Sequence, residues 1–449
     1  MNKLLLSICL VCCSFFTQAT VRYQSDDASV IARINDFVMP TASAELIFKV
    51  TNKHDRSLTK AGLVRGLIEN YVFAREAERK FGSQIALEKT NVAFDNQVHL
   101  DRDFVKTFLQ RYSSEIKSSI KKLPKSSLTS LIIQPFSVDS AHFYQTTHLQ
   151  NKLEYKLTEQ QIEQAKKLVL ITYQLPGKQV INKVTLWDIY SRQNLQGRIA
   201  IHKQNMKFLE NQTLNYLQEK YVYYWARNES GLNKSDVDAL VAMFKDRFIK
   251  EQYLAKTGLH VDFHHENKER SKKAAEVTQE EILAYYLEHK SEFQIIEKVR
   301  ARHIRLDSQA LADRVHEEIQ NGLPFDEAVV RYSISDDKNN KVPGDIGWIH
   351  NKDKKSSWLK GMSFIQEENK VSRPFRSPQK KGETIYWEIV LVQEKVVGYQ
   401  PADSEGVRYE ASRQIAQVKI AEEFQLTRQR LLEAADIRIN KNLLGEHVY

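Results

Sequence analysis

Cysteine is almost absent from this sequence, and no apolar run is long enough to cross a membrane comfortably. Of the 449 residues only Cys9, Cys12 and Cys13 are cysteines. All three lie within residues 1–19, which have the form of an export signal: a basic start at Lys3, a short apolar stretch and small residues suited to cleavage. Without that segment the chain would contain no thiol. Disulfides and cysteine-based metal or nucleophile chemistry are therefore excluded.

The apolar stretch of this segment, residues 4–16, is too short for a comfortable membrane span. Export without anchoring is the favoured interpretation, and membrane association through an uncleaved signal is the alternative. A lipid-modified cysteine is the weaker alternative, because the residues before Cys12 and Cys13 do not form a good lipobox.

The chain also lacks a concentrated basic tract and any recognised nucleic-acid-binding module. The formal charge of +9 comes from 66 Lys and Arg against 57 Asp and Glu, with both signs interspersed along the sequence. Nucleic acid is therefore not a predicted partner, whereas acidic partners are modestly favoured. The 42% hydrophobic and 10% aromatic content indicates a globular protein, and the length allows two or three domains.

No metal or hydrolase signature converges in the sequence. The one cluster of metal-ligating residue types, at positions 260–266, contains His260, His264 and His265 but no His-Glu-x-x-His motif. It borders a highly charged run, which is typical of a solvated connector, so ligation is the lesser alternative. No Ser-His-Asp grouping is evident, and we predict neither a metal nor a cofactor.

The N-terminal part predicts a strand pair followed by helices. Residues 29–39 predict two short strands around an Asn35-Asp36 turn, ended by Pro40. Helices are predicted over 42–50 and over 58–81, the second of which ends at Gly82.

The middle of the chain, residues 92–273, predicts mostly helices. A capping box begins at Thr158, and a second at Thr278 opens a helix beyond this region. The aromatic run at 221–225 is interpreted as core packing, with a client-binding groove as the alternative. A long helix over 404–435 and a short apolar run over 437–440 close the chain.

The segment 297–399 predicts a small α+β domain. A β-prone run leads to His303, two helix-period segments follow, then a turn over 343–348, and finally a closing strand over 386–392.

This order of residues resembles the parvulin family of peptidyl-prolyl cis/trans isomerases. The matching pieces are V-R-A-R-H-I at 299–304, N-G-L-P-F-D-E-A at 321–328, G-D-I-G-W at 344–348 and V-S-R-P-F at 371–375. Each piece is weak alone, but several in the right order within one domain make a strong signal.

The flanking segments resemble the chaperone module of SurA- and PrsA-like periplasmic foldases. The similarity lies in A-R-I-N-D-F-V-M-P at 32–40, in the helix over 66–82 and in the helix over 277–293. The resemblance implies an α+β protein: a mostly helical, discontinuous chaperone domain, completed by a C-terminal helix, with a parvulin-like domain inserted. The implied boundaries are 1–19 for the signal, 20–290 for the helical domain, 297–398 for the parvulin-like domain and 399–449 for the returning helix.

The same resemblance implies the candidate site. The parvulin pattern has two facing histidines, a Cys or Asp between them, a Ser or Thr, and apolar residues that hold the proline ring. Its polar positions fall on His303, Ser335 and Ser377, with Glu388 where the second histidine is expected. Its substrate-binding positions fall on Ile346, Trp358 and Phe375, and a methionine position falls near Lys354, which makes a poor pocket wall.

Two functions follow as expectations from the resemblance. One is an exported folding factor whose parvulin domain isomerises X-Pro bonds in unfolded or proline-containing envelope polypeptides. The other is a catalytically inactive holdase whose parvulin domain only binds peptide, in which His303 is a structural histidine. The missing second histidine and Lys354 favour the holdase, whereas His303 and the G-D-I-G-W turn favour parvulin ancestry.

Overall fold

The computed structural model describes residues 22–24, 27–87, 96–148, 155–260, 267–353, 357–379 and 384–444. Contacts divide the chain into two units, of which unit 1 comprises Met1–Glu269 with Ile420–Tyr449 and unit 2 comprises Arg270–Lys419. The export segment with its cysteines, positions 261–266 of the candidate metal cluster and Lys354 lie outside the described residues. No helix in the described ranges is both long and apolar enough to cross a membrane.

Helices make up most of the described chain. They are α1 (Thr41–Thr51), α2 (Lys60–Phe81), α3 (Asn96–Lys121), α4 (Ser140–Thr147), α5 (Glu159–Lys167), α6 (Leu186–Tyr190), α7 (Leu195–His202), α8 (Met206–Asn228), α9 (Lys234–Lys256), α10 (Lys268–Ala275), α11 (Gln279–Glu288), α12 (Gln309–Gln320), α13 (Phe325–Tyr332), α14 (Trp358–Ile365), α15 (Glu405–Ala434) and α16 (Lys441–Leu444).

The strands form three sheets. They are β1 (Arg22–Gln24), β2 (Val30–Ile34), β3 (Phe37–Pro40), β4 (Ile132–Gln134), β5 (Val169–Gln174), β6 (Ile181–Thr185), β7 (Gln294–Leu306), β8 (Asp345–His350), β9 (Phe375–Arg376), β10 (Trp387–Tyr399) and β11 (Ile437–Asn440). The predicted α+β class, dominated by helix, is confirmed.

Unit 1 is discontinuous because the C-terminal strand completes its first sheet. The strand order is β1-β11-β2-β3, and β11 runs antiparallel to β2 with Ile437 opposite Ile34. Asn35 turns the β2–β3 hairpin with φ of 51°, and its backbone N–H donates to the carbonyl oxygen of Asp436 at 2.9 Å. Ile34, Ile437 and Ile439 are buried, so closing this sheet removes their apolar surface from water.

The first core of unit 1 lies between this sheet and the helices α1, α2, α3, α8 and α9. The aromatic run on α8 contributes Val222 and Trp225 to it. Tyr221 is also buried, and its hydroxyl is 2.6 Å from Ser119 Oγ on α3. Core packing, rather than an open groove, is therefore the role of this run.

A second core in unit 1 adds a small sheet to the segment 92–273, which is mostly helical as predicted. Here β4, β5 and β6 form an antiparallel three-stranded sheet, which packs on α4 to α8. The segment 181–185 is strand β6 and precedes the short helix α6. The β-branched residues at 169, 171, 172 and 184–185 prefer such a pleated surface, but short apolar runs do not distinguish strand from helix by periodicity.

Unit 2 is built on a four-stranded sheet of order β8-β7-β10-β9 with antiparallel neighbours. Its two central strands are longer than the sequence predicts, because β7 continues to Leu306 and β10 to Tyr399. Successive residues of a strand face opposite sides. On one side Ile304, Leu306 and Ile389 pack with α12 and α13. On the other side Val299, Ala301, Val390 and Val392 form a smaller apolar cluster.

Local capping signals placed several helix ends correctly. Capping boxes begin α5 at Thr158 and α11 at Thr278, and α2 ends at Gly82, whose φ is 83°. These motifs satisfy backbone groups within one segment, so they can be recognised in the sequence without the tertiary structure.

Candidate functional site

His303 lies on β7, on the same side of the sheet as the smaller apolar cluster. It is opposite Val390 of β10, and its side chain is only 1% exposed. Its backbone N–H donates to the carbonyl oxygen of Gly344 at 2.9 Å, which ties the strand to the glycine turn before β8. The imidazole is therefore fixed in the interior of unit 2.

Both ring nitrogens of His303 contact carboxylates. Nδ1 is 2.6 Å from Oε2 of Glu388, and Nε2 is 2.5 Å from Oδ2 of Asp337. The hydroxyl of Ser335 donates to the same Asp337 oxygen at 3.0 Å. Glu388 thus contacts His303 directly, whereas Ser335 reaches it only through Asp337.

Glu388 is fully buried and shared between two cations. It lies opposite Arg305 in the β7–β10 pairing, and its Oε1 accepts from Arg305 Nε at 2.8 Å. Strand alternation puts positions 303 and 305 on one face, and Glu388 faces both. We call the four residues His303, Arg305, Asp337 and Glu388 the buried network.

The charges of the buried network favour a protonated imidazole. Burial by itself lowers the pKa of His303, but the hydrogen bonds and negative charges of Glu388 and Asp337 outweigh it and raise this pKa above its ordinary value. An imidazolium donates from both nitrogens, as two carboxylate partners require.

The glycine turn is shaped to fit against His303. Gly344 has φ of 72°, and a Cβ built there would lie 2.5 Å from the His303 carbonyl oxygen. Only glycine combines this backbone angle with so close an approach. The neighbouring Pro343 carbonyl accepts two hydrogen bonds from the Arg302 guanidinium, at 3.0 and 2.6 Å.

An apolar wall lies on the same side of the sheet as His303. Ile346 and Phe375 pack against the apolar cluster of β7 and β10, and both remain partly exposed. The Trp358 ring meets Phe375 edge-on, with centroids 4.7 Å apart and an interplanar angle of 83°. The three predicted substrate-binding residues therefore lie together, and we call them the apolar wall.

Tyr386 joins the apolar wall to the buried network. Its hydroxyl accepts from Trp358 Nε1 at 3.4 Å, and its ring lies 4.2 Å below the Arg305 guanidinium carbon. Arg305 in turn reaches Glu388. A chain of contacts thus runs from the partly exposed indole to the buried imidazole.

Ser377 has a different position from the other predicted polar residues. Its hydroxyl accepts from the Tyr386 backbone N–H at 3.0 Å, and its own N–H donates to the Tyr386 carbonyl at 2.8 Å. These bonds close the turn between β9 and β10. They link Ser377 to Tyr386 and not to His303.

Sequence reasoning did not include Asp337, Arg305 or Tyr386 in the site. Two signals were available: Asp337 follows Ser335 by two residues, and Arg305 follows His303 by two residues on a strand. The pairing of β7 with β10 brings Arg305 to Glu388, and the packing of the Ser335–Asp337 segment brings Asp337 to His303. One oxygen of Asp337, Oδ1, is buried without a hydrogen-bond partner among the described residues.

The network does not have the form of a metal site. No group of three or more His, Cys, Asp or Glu side chains able to hold a metal ion occurs in the described ranges. Both nitrogens of His303 are engaged with carboxylates, which leaves neither free as a ligand.

Comparison with known proteins gives matches only at the level of solved structures. No protein-family model matches the chain, and no curated protein matches its sequence. Similar structures include a chain from the SurA-like chaperones PEB4 and Cj1289 of Campylobacter jejuni, at 10% identity and a TM-score of 0.24, covering 92% of this chain and 98% of that one.

Two foldases are also similar. PrsA from Bacillus subtilis is 19% identical, covers 59% of this chain and 93% of its own, and has a TM-score of 0.19. The peptidylprolyl isomerase PrsA from Bacillus anthracis is 16% identical, covers 43% and 72%, and has a TM-score of 0.20. Matches at these scores carry no argument about function, which is inferred below from this chain's own residues.

Proposed function

We propose that this chain is an exported folding factor that binds unfolded polypeptides, and that unit 2 is a parvulin-type prolyl isomerase domain. The observation that carries the proposal is the apolar wall beside the buried network, on one face of one sheet. Ile346, Trp358 and Phe375 are partly exposed there, whereas His303 is enclosed. This pairing is what the parvulin resemblance implies for binding a proline ring.

The chemistry of prolyl isomerisation needs no covalent step. Rotation about a peptide bond is resisted by amide resonance, with a barrier of about 18–20 kcal/mol. The twisted amide has less charge separation than the planar one, so a water-excluding apolar surface favours it. Only interactions that are stronger with the twisted amide than with the planar one accelerate rotation. The apolar wall supplies such a surface in this proposal.

The buried network has a positioning role in this proposal. His303 ties β7, β10 and the Ser335–Asp337 segment together through Glu388 and Asp337. Because β10 leads back to Tyr386, the network also sets the position of the aromatic side chains in front of it. The rigid hydrogen bonds of the buried network thereby keep the binding surface preorganised.

Export and polypeptide clients belong to the same proposal. The N-terminal segment with its basic start and short apolar stretch supports export to the periplasm. The resemblance of unit 1 segments to SurA- and PrsA-like chaperone modules supports unfolded envelope polypeptides as clients.

One observation favours a second function, peptide binding without catalysis. His303 is 1% exposed and Glu388 is fully buried, with their hydrogen-bonding atoms engaged inside the network. Neither group directly contacts a peptide on the apolar wall in this arrangement. A domain that only holds proline-containing segments would use the same wall.

The test measures cis/trans exchange of X-Pro peptides by NMR, with catalytic amounts of the full-length protein. We expect exchange faster than the uncatalysed rate. Trp358→Ala should reduce this acceleration by about tenfold, because it removes the largest side chain of the apolar wall. Trp348→Ala is the matched control. Trp348 lies on β8 and pairs with Arg300 of β7, and its side chain is on the opposite side of the sheet from the apolar wall.

The outcomes separate the two functions. Acceleration that is lost in Trp358→Ala and kept in Trp348→Ala supports the isomerase. No acceleration, together with peptide binding that depends on Trp358, supports the binding protein. If neither acceleration nor Trp358-dependent binding is observed, both assignments of this surface are wrong.

A further inference from the structure

The net positive charge of this protein arises in one segment that is poor in acidic residues. Residues 117–207 contain 14 of the 66 basic and 5 of the 57 acidic residues, which leaves 52 of each sign elsewhere. The whole excess of +9 therefore lies in this segment, which holds most of the second core of unit 1 and its three-stranded sheet. We call residues 117–207 the basic lobe.

Some of this charge is neutralised internally, but much of it faces solvent. Arg192 pairs with Asp101 and Glu219, and Lys166 pairs with Glu163. Exposed lysines remain on the strand, on the hairpin tip and along the surrounding helices, namely Lys117, Lys121, Lys122, Lys125, Lys178, Lys183, Lys203 and Lys207.

Two of these basic regions meet at the end of α8. Lys178, in the turn between β5 and β6, donates to Oδ1 of Asn228 at 3.2 Å. The next residue, Glu229, accepts from the hydroxyl of Ser119 at 2.6 Å, near the lysine-rich end of α3. The hairpin tip and the end of α3 thus both lie beside the end of α8, where their lysines outnumber the single acid Glu229.

The sheet of the basic lobe has an open edge in the same region. Its order is β4-β5-β6, so β6 pairs with β5 on one side, and no strand of the described ranges pairs with the other. An edge strand presents unpaired N–H and C=O groups that another extended chain can bind.

The exposed side chains at this edge are those a strand partner would cover. Val180 is 66% exposed and Ile181 is 55% exposed, and the exposed Lys183 follows two residues later. Edge strands are commonly protected by charged side chains, especially lysine, by proline, by bulges or by a covering element. Lys183 is such a charge on β6, and it disfavours a basic partner strand and favours an acidic one.

We propose that the β6 edge binds an extended, acidic polypeptide segment as an added strand. The open edge selects an extended chain, Val180 and Ile181 provide apolar contacts, and Lys178 and Lys183 provide the charge complementarity. This function goes beyond the proposed isomerase role, because the surface lies in unit 1 and requires no proline in its partner.

The test uses fluorescence anisotropy with the full-length protein and short labelled peptides of alternating glutamate and valine. Matched peptides carry glutamine in place of glutamate, or N-methyl groups on alternate amides. We expect the glutamate peptide to bind at least tenfold more tightly than the glutamine peptide at about 0.1 M salt, and to lose that advantage near 1 M. N-methylation should abolish binding, because it removes strand hydrogen bonds.

Variants locate the binding to the edge. Lys183→Glu should weaken binding of the glutamate peptide by about fivefold or more. Ile181→Thr, which keeps a β-branched residue, should weaken it by about threefold. Lys352→Glu and Val397→Thr, at exposed positions of unit 2, are the matched controls and should bind normally. Circular dichroism of each variant checks that it is folded.

Three results would overturn the proposal. They are equal binding of the glutamate and glutamine peptides, binding unaffected by both Lys183→Glu and Ile181→Thr, and binding that survives N-methylation. Lys183-dependent binding to phosphatidylglycerol vesicles without peptide binding would show a membrane surface instead. Each of these results leaves the X-Pro exchange measurement on unit 2 unaffected.

Discussion

Replacing Glu388 by glutamine tests the role of the buried network most directly. The substitution keeps the shape of the side chain but removes a fully buried charge that accepts from His303 and from Arg305. A hydrogen bond to a charged group contributes about 1 kcal/mol more than a neutral one. Glutamine has one acceptor oxygen where glutamate has two, so one of the two bonds is weakened and the other is lost, because an amide N–H then faces an N–H donor. We expect a loss of about 2–4 kcal/mol in the stability of unit 2. The Arg305 side chain is 32% exposed, so water can solvate its charge, and a larger loss is not expected.

The loss should depend on pH in a defined direction. The pKa of His303 is raised in the folded protein because Glu388 and Asp337 outweigh the opposing effect of burial. Its stabilisation is therefore complete below the ordinary value of 6.5 and is lost as the pH rises through the folded pKa. The difference between wild type and Glu388→Gln should be largest in mildly acidic solution and should shrink as the solution becomes alkaline.

Hydrogen exchange of peptides from β7 and β10 in the full-length protein measures this stability locally, after correction for the intrinsic exchange rate at each pH. Glu367→Gln is the control, because Glu367 is an exposed acid of unit 2 that pairs with Lys370 at the surface. It should leave the exchange of both strands unchanged. Equal protection in Glu388→Gln and wild type, or a difference that is constant or grows with pH, would refute the assigned charge state of His303.

Two further predictions follow from single positions. Gly344→Ala should destabilise unit 2 by about 1–3 kcal/mol, because a Cβ at φ of 72° would collide with the His303 carbonyl; unchanged exchange of β7 would contradict this. In unit 1, burial raises the pKa of Asp246 to about 6 against the opposing effect of Arg75, so its contribution to stability falls as pH rises towards 6. Asp246→Asn should remove that part of the pH dependence in urea unfolding, and an unaltered pH profile would count against it.

Several elements could be predicted because their signals are local. The Asn35 hairpin joins two strands adjacent in the chain, and the two capping boxes and the glycine that ends α2 satisfy backbone groups within one segment. The sheet of the basic lobe was missed because its strands are short and lie between helices. Its pairing of β4 with β5 joins segments more than thirty residues apart, for example Ile132 with Tyr173. The hydrophobic periodicity of a single segment does not reveal such a contact.

The residues of the candidate site likewise include some that the sequence identified and some that it could not. Motif order identified His303, Ser335, Ile346, Trp358, Phe375, Ser377 and Glu388 as candidates, and their catalytic or binding roles stay predictions. The sequence also shows Glu388 at the position where the parvulin pattern has its second histidine. Arg305 and Tyr386 could not be chosen from the sequence, because their contacts depend on the register of β7 against β10. Asp337 could not be chosen either, because its contact depends on how the segment after α13 packs against β7.

The sequence by itself determined the residue types available: one histidine on a β-prone run, a glycine turn, aromatic side chains and a surplus of 9 positive charges. The tertiary structure alone decided what each of them contacts. Antiparallel pairing placed Glu388 against both His303 and Arg305, and burial made their mutual charges strong enough to set the imidazole's protonation. Folding likewise left β6 with Lys183, and the turn before it with Lys178, at an edge of the sheet, because pairing between segments distant in the chain sets the strand order.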